Sequence, residues 1–366
     1  MYGVSSAWVA AQEHFLSPEG FVELSCYIPE INETLVYTKN NLMSFTHKQT
    51  GCLVSGELCK NQIEFSLDNS DGSWNPNSPR GLERYLSERL RITLRYGFDI
   101  NGSVEWIPGG VFYLSEWKTS TDGLEASFVA RDIMEYMIDT PYTGAIAGSL
   151  YDVVTNALTE AAIPDDVVVN ISDVLGGFPI ELPEYDGGSS VAEVLQKCAN
   201  AAGCVMYQDR LGALHIEKLV HSDTDYTIAL SKSYSYPKIE LSRPLKEVAV
   251  TYSDGVKAHY SCGETGQVQT VDNNFIMDES QASGVAEWVA DVLRGRRAIS
   301  GDFRGDPRVD LFDVVQIENK YGIVTGVTIT DITYSFGGAF RTTYSGQVRG
   351  TTTPVFCGEV FTGEVS

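Results

Sequence analysis

Alternating apolar and polar residues dominate the first third of the chain and predict extended strands. At 124–130, Leu, Ala, Phe and Ala occupy every second position, so one face of this segment is expected to be buried. The Asn-Gly pair at 101–102 and the Asp-Gly pair at 122–123 separate such runs and predict two hairpin turns. Only "GLERYLSERL" at 81–90 has a helical pattern here. Residues 21–138 are therefore predicted to form an antiparallel barrel or sandwich.

Helical spacing replaces this alternation in the middle of the chain. Ser149 precedes apolar residues three or four positions apart, and Pro164 marks the end of that helix. Ser190 and Glu193 predict a capping box at the start of a second helix. A hairpin that turns at 209–212 follows. This segment is predicted to be a small α+β domain.

Strands return after residue 239, with one helix expected at about 281–293. The segments "ELCKNQIEFSLDNSDG" at 57–72 and "ELSRPLKEVAVTYSDG" at 240–255 align without a gap, and both end in Ser-Asp-Gly. In both parts a helix, a strand ending in Tyr-Gly and a hairpin come next. This shared order predicts two copies of one β-rich unit, separated by a different domain.

The predicted fold is mainly β, with two similar antiparallel β-barrel-like domains that flank a small α+β domain. The expected segments are an N-terminal arm at 1–20, a first barrel at 21–138, the α+β domain at 139–232, a second barrel at 233–350 and a C-terminal tail at 351–366.

Charge excludes one broad class of function. The 366 residues include 26 Lys and Arg against 49 Asp and Glu, a net charge of −23. Such a surface repels phosphate backbones, so sequence-independent binding of DNA or RNA is not expected. A hydrophobic fraction of 43% indicates a folded chain. We interpret most of the acidic residues as a solvated, solubilising surface.

Seven cysteines, without regular spacing or a Cys-x-x-Cys pair, indicate buried free thiols and a reducing compartment. The N-terminus has no basic start followed by an apolar run, so no signal peptide is predicted. No apolar run approaches the roughly 20 residues that a membrane-spanning helix needs. We therefore expect a soluble protein made in the cytosol, with no membrane span.

The sequence predicts no metal site. The loop "DNSDG" at 68–72 would need Gly and Glu at later EF-hand positions where Ser73 and Pro79 stand, so a turn capped by its own side chains is favoured. The histidines include no His-Glu-x-x-His motif and no pair at ligand spacing, and His215 has the pattern of a strand residue. They lie at positions 14, 47, 215, 221 and 259.

Catalytic patterns are equally weak. No Gly-x-Ser-x-Gly motif occurs, and "GAIAGS" at 144–149 lacks the lysine of a phosphate loop. Four aspartates could supply a glycosidase-like acid and base, but their spacing across Gly305 and Pro307 favours turn and strand-edge roles. They are Asp302, Asp306, Asp310 and Asp313. Three tryptophans could stack on sugars but are expected in cores or interfaces, namely Trp74, Trp106 and Trp117. No catalytic residue and no cofactor is predicted, so the chain is predicted not to be an enzyme.

Four stretches carry a resemblance to a known family, and together they span roughly residues 20–350. They are "IEFSLDNSDG" at 63–72, "WIPGGVFYLSEWKTS" at 106–120, "SSVAEVLQKCANAAGCVMYQDRLGALHI" at 189–216 and "DFRGDPRVDLFDVVQIE" at 302–318. The sequence resembles the hub proteins of phage tail tips and baseplates, including the myophage central hub, the N-terminal region of siphophage tail-associated lysins and the base of VgrG-type spikes. Phe312-Asp313 stands where that family more usually has Gly-Asp.

The resemblance implies a homotrimer whose six barrel domains form a pseudo-sixfold ring. This ring would join the sixfold tail tube to a threefold tip and let phage DNA pass without specific binding. The implied partners are tail tube or distal tail ring proteins on one side, and a tip fibre, spike or lysin on the other. The implied location is the virion tail, assembled in the host bacterial cytoplasm.

Two other functions remain open at this point. One is an enzyme, a carbohydrate or peptidoglycan hydrolase that uses acidic residues on the host surface. The other is a receptor- or glycan-binding module on a β scaffold.

Overall fold

The computed structural model describes residues 2–13, 19–76, 78, 81–183, 185, 188–219, 223–252 and 255–348. The first part contains helix α1 (Ser6–Glu13) and strands β1 (Gly20–Ile28), β2 (Glu33–Tyr37), β3 (Leu42–Thr50), β4 (Lys60–Asp68), β5 (Arg91–Ile100), β6 (Ser103–Thr119) and β7 (Glu125–Arg131). The middle part contains β8 (Ile146–Ser149), α2 (Leu150–Ala161), β9 (Val169–Ile171), β10 (Pro179–Leu182), α3 (Val191–Ala201), β11 (Val205–Gln208) and β12 (Leu214–Glu217).

The last part contains β13 (Asp223–Ile228), β14 (Lys238–Leu241), β15 (Leu245–Tyr252), β16 (Val256–Ser261), β17 (Gln267–Asp272), α4 (Glu279–Leu293), β18 (Arg297–Phe303), β19 (Val314–Glu318), β20 (Val324–Phe336) and β21 (Phe340–Val348). Strands are the principal elements, and the mainly-β prediction is confirmed. The C-terminal tail at 351–366 lies outside the described residues, as do His14 and His221.

One large sheet of 13 strands contains most of the described β-structure. Its first unit has the order β3-β4-β7-β6-β5-β1-β2. Its second unit has the order β14-β18-β21-β20, with β19 on β20 and β13 on β19. The two units are joined by an antiparallel seam between β3 and β20, which pairs Phe45–Thr50 with Asp331–Phe336.

The two units repeat one order of strand pairing. The series β3-β4-β7-β6-β5 corresponds to β14-β18-β21-β20-β19, and every pairing in both series is antiparallel. The long strands β6 and β20 each carry a bulge, at Ser115 and at Thr330. The units differ beyond this series, because β1 pairs antiparallel with β5 whereas β13 pairs parallel with β19.

Two residues with left-handed backbone fix which positions correspond. Arg89 has φ 63° and Phe312 has φ 65°. The Arg89 N–H donates to the Leu114 carbonyl over 3.0 Å, and the Phe312 N–H donates to the Ile329 carbonyl over 2.9 Å. Each acceptor directly precedes the bulge of its strand. Leu114 of β6 and Ile329 of β20 are therefore equivalent positions, so equivalent residues of β6 and β20 differ by 215 in number.

This equivalence corrects the alignment of 57–72 with 240–255. The first segment contains β4 of the large sheet, whereas the second contains β15, which lies in a separate three-stranded sheet with β16 and β17. The strand equivalent to β4 is β18. Ser-Asp-Gly is a turn signal that many strand ends can carry, and this explains the misleading match; residues 253–254 of that turn lie outside the described residues.

The buried side chains form three large cores. One fills the first unit and includes Trp8 of α1, which is fully buried and contacts Phe98 edge-on with ring centroids 4.9 Å apart. A second fills the second unit. The third is shared by the middle part and the segment 245–293, since Val248 and Val285 pack in it with α2 and α3. The domain boundaries proposed from the sequence stay a prediction.

Local signals were good guides to the middle part. Capping boxes are present at Ser149 with Asp152 and at Ser190 with Glu193, and α2 ends shortly before Pro164. α4 begins two residues earlier than expected, because Asp278 accepts from the Gln281 N–H. Two predictions in the first unit were wrong. Residues 81–90 contain only a short 3₁₀ helix, Leu82–Tyr85, instead of the expected α-helix. Leu124 was expected on the buried face of β7, but it precedes that strand and is 54% exposed.

Candidate functional site

The seam between the units has a buried polar centre at His47. Its Nδ1 lies 2.6 Å from the Tyr96 hydroxyl and its Nε2 lies 2.7 Å from Asn61 Oδ1. Burial lowers the pKa of His47 to about 4, so the ring is neutral at pH 7. Because Asn61 Oδ1 can only accept, Nε2 carries the proton and Nδ1 accepts from Tyr96. This geometry satisfies the polar atoms of the ring and holds β3, β4 and β5 in register.

A second polar centre, the Asp310 junction, ties the middle part to both units. Arg210, in the turn after β11, donates from Nε to Asp310 Oδ2 over 2.8 Å and from Nη1 to the Pro307 carbonyl over 2.8 Å. Gln49 of β3 donates to the other Asp310 oxygen, also over 2.8 Å. Burial alone would raise the pKa of Asp310, but the charge and hydrogen bond of Arg210 lower it below its usual range. The junction is therefore an ionised pair that fastens three segments together.

Two of the other three aspartates of the candidate cluster pair with an arginine, and the third hydrogen-bonds to backbone within the cluster. Asp306 forms a buried ion pair with Arg308. Asp302 pairs with Arg341 at 2.7 Å near the surface. Asp313 accepts from the Asp310 N–H over 2.8 Å. No two of these carboxylates are linked as an acid and base facing each other in the contacts of the described residues, and the predicted absence of a catalytic site stays a prediction.

Two titratable groups were not singled out from the sequence as unusual. Asp132 is buried at the start of a 3₁₀ turn and accepts from the Met134 N–H over 3.0 Å; burial raises the pKa of its carboxyl to about 7. His215 in β12 lies 3.2 Å from both Asp209 and Glu217, and chiefly the hydrogen bond to Asp209 raises its pKa. Burial of Asp132 is a tertiary effect that no local motif signals, whereas the pairing of His215 with Asp209 is local to the predicted hairpin that turns at 209–212.

The "DNSDG" loop is closed by its own groups. Asp68 Oδ1 accepts from the Ser70 N–H over 2.9 Å, and Asp71 Oδ1 accepts from the Ser73 N–H over 3.0 Å. Within the described part of the chain, no group of three or more His, Cys, Asp or Glu side chains has a metal-binding arrangement. Trp74 is buried in the first-unit core, and the "GAIAGS" stretch forms β8 and the cap of α2.

The described cysteines are free thiols, as the sequence indicated, but only four of them are buried, and the reducing compartment stays a prediction. Six cysteines are free thiols, at positions 26, 52, 59, 198, 204 and 262. Burial raises the pKa of Cys26 and Cys204 to about 11, which makes these thiols unreactive at neutral pH.

Among the strand edges without a partner in the described part of the chain, two occupy places whose counterparts in the repeat are paired. β14 pairs with β18 on one side only, and residues 115–119 of β6 pair with β7 on one side only. The corresponding strands β3 and β20 are paired at these places, with each other. Near β14 the apolar side chains are strongly exposed, with 69% for Tyr236, 48% for Ile239 and 70% for Leu241. Exposed edges of this kind are sites where another chain can add a strand.

None of the helices in the described ranges combines the length and apolar composition needed to cross a bilayer. Comparison with family models and with curated proteins gives no match.

Solved structures give clear matches at low sequence identity. The 43 kDa tail protein of prophage MuSo2 from Shewanella oneidensis matches with a TM-score of 0.59 and 14% identity, over 91% of this chain and 98% of that one. A tail protein from Neisseria meningitidis MC58 matches with a TM-score of 0.58 and 12% identity, over 90% and 96%. The E. coli c3393 protein, described as a type VI secretion component with structural similarity to the T4 tail proteins gp27 and gp5, matches with a TM-score of 0.50 and 12% identity, over 85% and 74%. The chain thus has the fold of these tail and type VI secretion proteins, as the resemblance predicted.

Proposed function

We propose that this chain is a structural subunit of a phage tail tip or baseplate, a homotrimeric hub that forms a pseudo-sixfold ring. The observation that carries this proposal is the repeat of one strand order in two units of a single continuous sheet. A chain with two similar units can fill two equivalent places in a ring, so three chains can match a sixfold neighbour.

The fold likeness supports the same assignment. The similar structures from Shewanella and Neisseria are described as tail proteins, and each is covered almost completely. In our proposal one face of the ring binds tail tube or distal tail ring proteins and the other binds a tip fibre, spike or lysin. The ring is part of the virion tail and is assembled in the host bacterial cytoplasm.

The passage of DNA fits the charge of the chain. A protein with a net charge of −23 repels duplex DNA rather than binding it. The proposed hub therefore guides DNA through its opening without specific contacts. It performs no catalysis, which is consistent with the separate arginine partners of Asp302, Asp306 and Asp310.

Native mass measurement of the purified full chain, combined with electron microscopy of single particles, tests the proposal. We expect a trimer that appears as a ring with an axial opening. A species that stays monomeric at every concentration contradicts the hub. Clearing of cell-wall substrate in a zymogram, or a competable signal on a glycan array without a ring, would instead support the hydrolase or the glycan-binding module.

A further inference from the structure

The repeated strand order is complete except for one pairing. In the first unit, β3 pairs with β4 and also with β20 of the second unit. Its equivalent β14 pairs with β18 and, among the described strands, with no other. Likewise β20 has three strand neighbours whereas its equivalent β6 has two. The missing contact is therefore β14 with β6, the counterpart of the β3–β20 seam.

The equivalent positions give this missing pairing a register. The offset of 215 residues places Trp117 on Ile332 and Thr119 on Tyr334. Ile63 of β4 pairs with Ala130 of β7, and Ile299 of β18 pairs with Gly346 of β21. These pairings make β4 equivalent to β18, and the neighbouring strand β3 is therefore equivalent to β14. In the seam, residues 47 and 49 of β3 pair with residues 334 and 332 of β20. The equivalent register between copies places residue 239 of β14 opposite residue 119 of β6, and residue 241 opposite residue 117.

The backbone polarity of both edges agrees with this register. The Ser242 N–H donates to the Arg296 carbonyl over 2.8 Å, so the even positions of β14 bond to β18 and the N–H groups of Ile239 and Leu241 point outward. The Ser120 N–H donates to the Glu125 carbonyl over 2.8 Å, so the N–H groups of Trp117 and Thr119 point outward from β7. In an antiparallel sheet, a hydrogen-bonded pair forms where two residues with outward-pointing N–H groups lie opposite each other. The register places such residues opposite each other at 239 and 119 and at 241 and 117.

The side chains along the two edges are also complementary. Leu241, 70% exposed, would lie opposite the half-buried Trp117 and cover apolar surface that is open in one chain. Glu240 would lie opposite Lys118, and both are exposed in the single chain. Opposite charges at facing positions of neighbouring strands stabilise the pair, and like charges destabilise it.

We propose that β14 of one copy adds as a strand to residues 115–119 of β6 in the next copy, and so repeats between chains the seam that β3 and β20 form within one chain. The contact is head-to-tail, because the two edges are different surfaces, and such contacts form a ring when the rotation between copies closes and an open filament when it does not. This inference rests on the proposed ring function and names the surfaces that build it.

Cysteine cross-linking tests the register. Glu240→Cys and Lys118→Cys in one full-length chain face each other in a non-hydrogen-bonded pair, where the Cα atoms are about 4.5 Å apart and within disulfide range. We expect oxidation to give a covalent trimer on a non-reducing gel. The control chain carries Lys118→Cys with Lys238→Cys, and position 238 is two residues away from the expected partner at 240. The two single variants show how much cross-linking comes from the native cysteines. All three controls should give at most traces of trimer.

Charge exchange tests the same contact without a covalent bond. Glu240→Lys or Lys118→Glu alone should weaken the contact between copies by up to about fivefold, and the two together should restore it. Ile239→Pro should abolish assembly because it removes an outward N–H, while Ile239→Ala retains that N–H and assembles. The melting temperature of each variant, measured as a monomer at low concentration, verifies that the chain itself is folded.

The outcomes separate this inference from the proposed function. A trimeric ring without the cross-link and without response to the charge exchange overturns the strand contact and leaves the hub intact. A specific cross-link in open-ended oligomers or dimers supports the strand contact and overturns the closed ring. A monomer without the cross-link overturns both.

Discussion

At the scale of single residues, the most informative pair is Arg89 and Phe312. Both have left-handed backbone, which costs a residue with a side chain about 1 kcal/mol or more relative to glycine. The left-handed backbone at Phe312 is a conformation that glycine adopts without strain, so glycine is the residue that this position would favour on backbone grounds alone. Phe312 offsets the strain because its ring is buried beside Cys59 and Val205 and contacts Tyr207 edge-on at 5.7 Å. The same backbone need is therefore met in two ways within one chain.

Glycine substitution at these two positions should separate backbone strain from packing. Arg89→Gly relieves the strain and loses the contact of the guanidinium with the Tyr136 ring at 4.5 Å, so the unfolding free energy should change by less than about 1 kcal/mol. Phe312→Gly relieves the same strain but empties a buried site, so we expect a loss of about 2–4 kcal/mol. Denaturant unfolding measures both, and equal losses would contradict the packing role of Phe312.

His47 should make stability depend on pH in a defined window. The unfolded chain binds a proton on this ring near pH 6.5, whereas the folded chain binds it only near pH 4. The stabilising effect of the neutral ring is therefore full above pH 6.5 and is lost as the pH falls toward 4, by about 3 kcal/mol in total.

The measurement compares wild type with His47→Gln by denaturant unfolding at several pH values. The difference between them should shrink as the pH falls from 6.5 to 4. The comparison is needed because Asp132, whose pKa burial raises to about 7, contributes with the opposite sign, losing stability as the pH rises through 7. A constant difference between the two proteins would show that His47 is not held neutral.

At the scale of elements, local and long-range features differ in what the sequence could predict. The helix caps at Ser149 and Ser190 and the hairpin turn at 101–102 were predictable, because each depends on residues a few positions apart. The seam between β3 and β20 and the contact of Arg210 with Asp310 were not, since their partners lie 100 or more residues apart. The prediction of two similar β-rich units was correct. The predicted alignment of these units was wrong, because it relied on a shared turn sequence and not on strand pairing.

Removing the Arg210 side chain should loosen all three segments at the Asp310 junction. Arg210→Ala leaves the partly buried Asp310 carboxylate without its cation, a change that costs about 3 kcal/mol, the lower end of the range for buried pairs. The matched control is Arg341→Ala, which breaks the surface pair with Asp302 and should cost less than about 1 kcal/mol. Similar losses in the two variants, measured by chemical denaturation, would contradict the importance of the junction.

At the scale of the whole molecule, the net charge and the proposed ring together predict how DNA passes through the protein. The ring that we propose surrounds a path for nucleic acid, yet the chain carries 23 more acidic than basic residues. Attraction to the phosphates would slow passage, whereas repulsion keeps the path clear. Passage then depends on the shape of the opening and not on affinity.

The purified protein should show no binding to duplex DNA even at low salt. Proteins that bind DNA through phosphate contacts gain affinity steeply as salt is removed, so the lowest salt concentration is the most sensitive condition. Fluorescence anisotropy of a labelled duplex is the measurement. A rise in anisotropy that disappears on adding salt would reveal a basic surface and would contradict passage without contacts.

The β3–β20 seam also determines how the protein carries mechanical load. Its hydrogen bonds run perpendicular to the strands, and it joins the two units through six consecutive residue pairs. A pull along the strand axis loads all of these bonds at once in shear, whereas a pull across the strands breaks them one after another. The hydrogen bonds of this seam therefore resist sliding of the two units past one another far better than peeling.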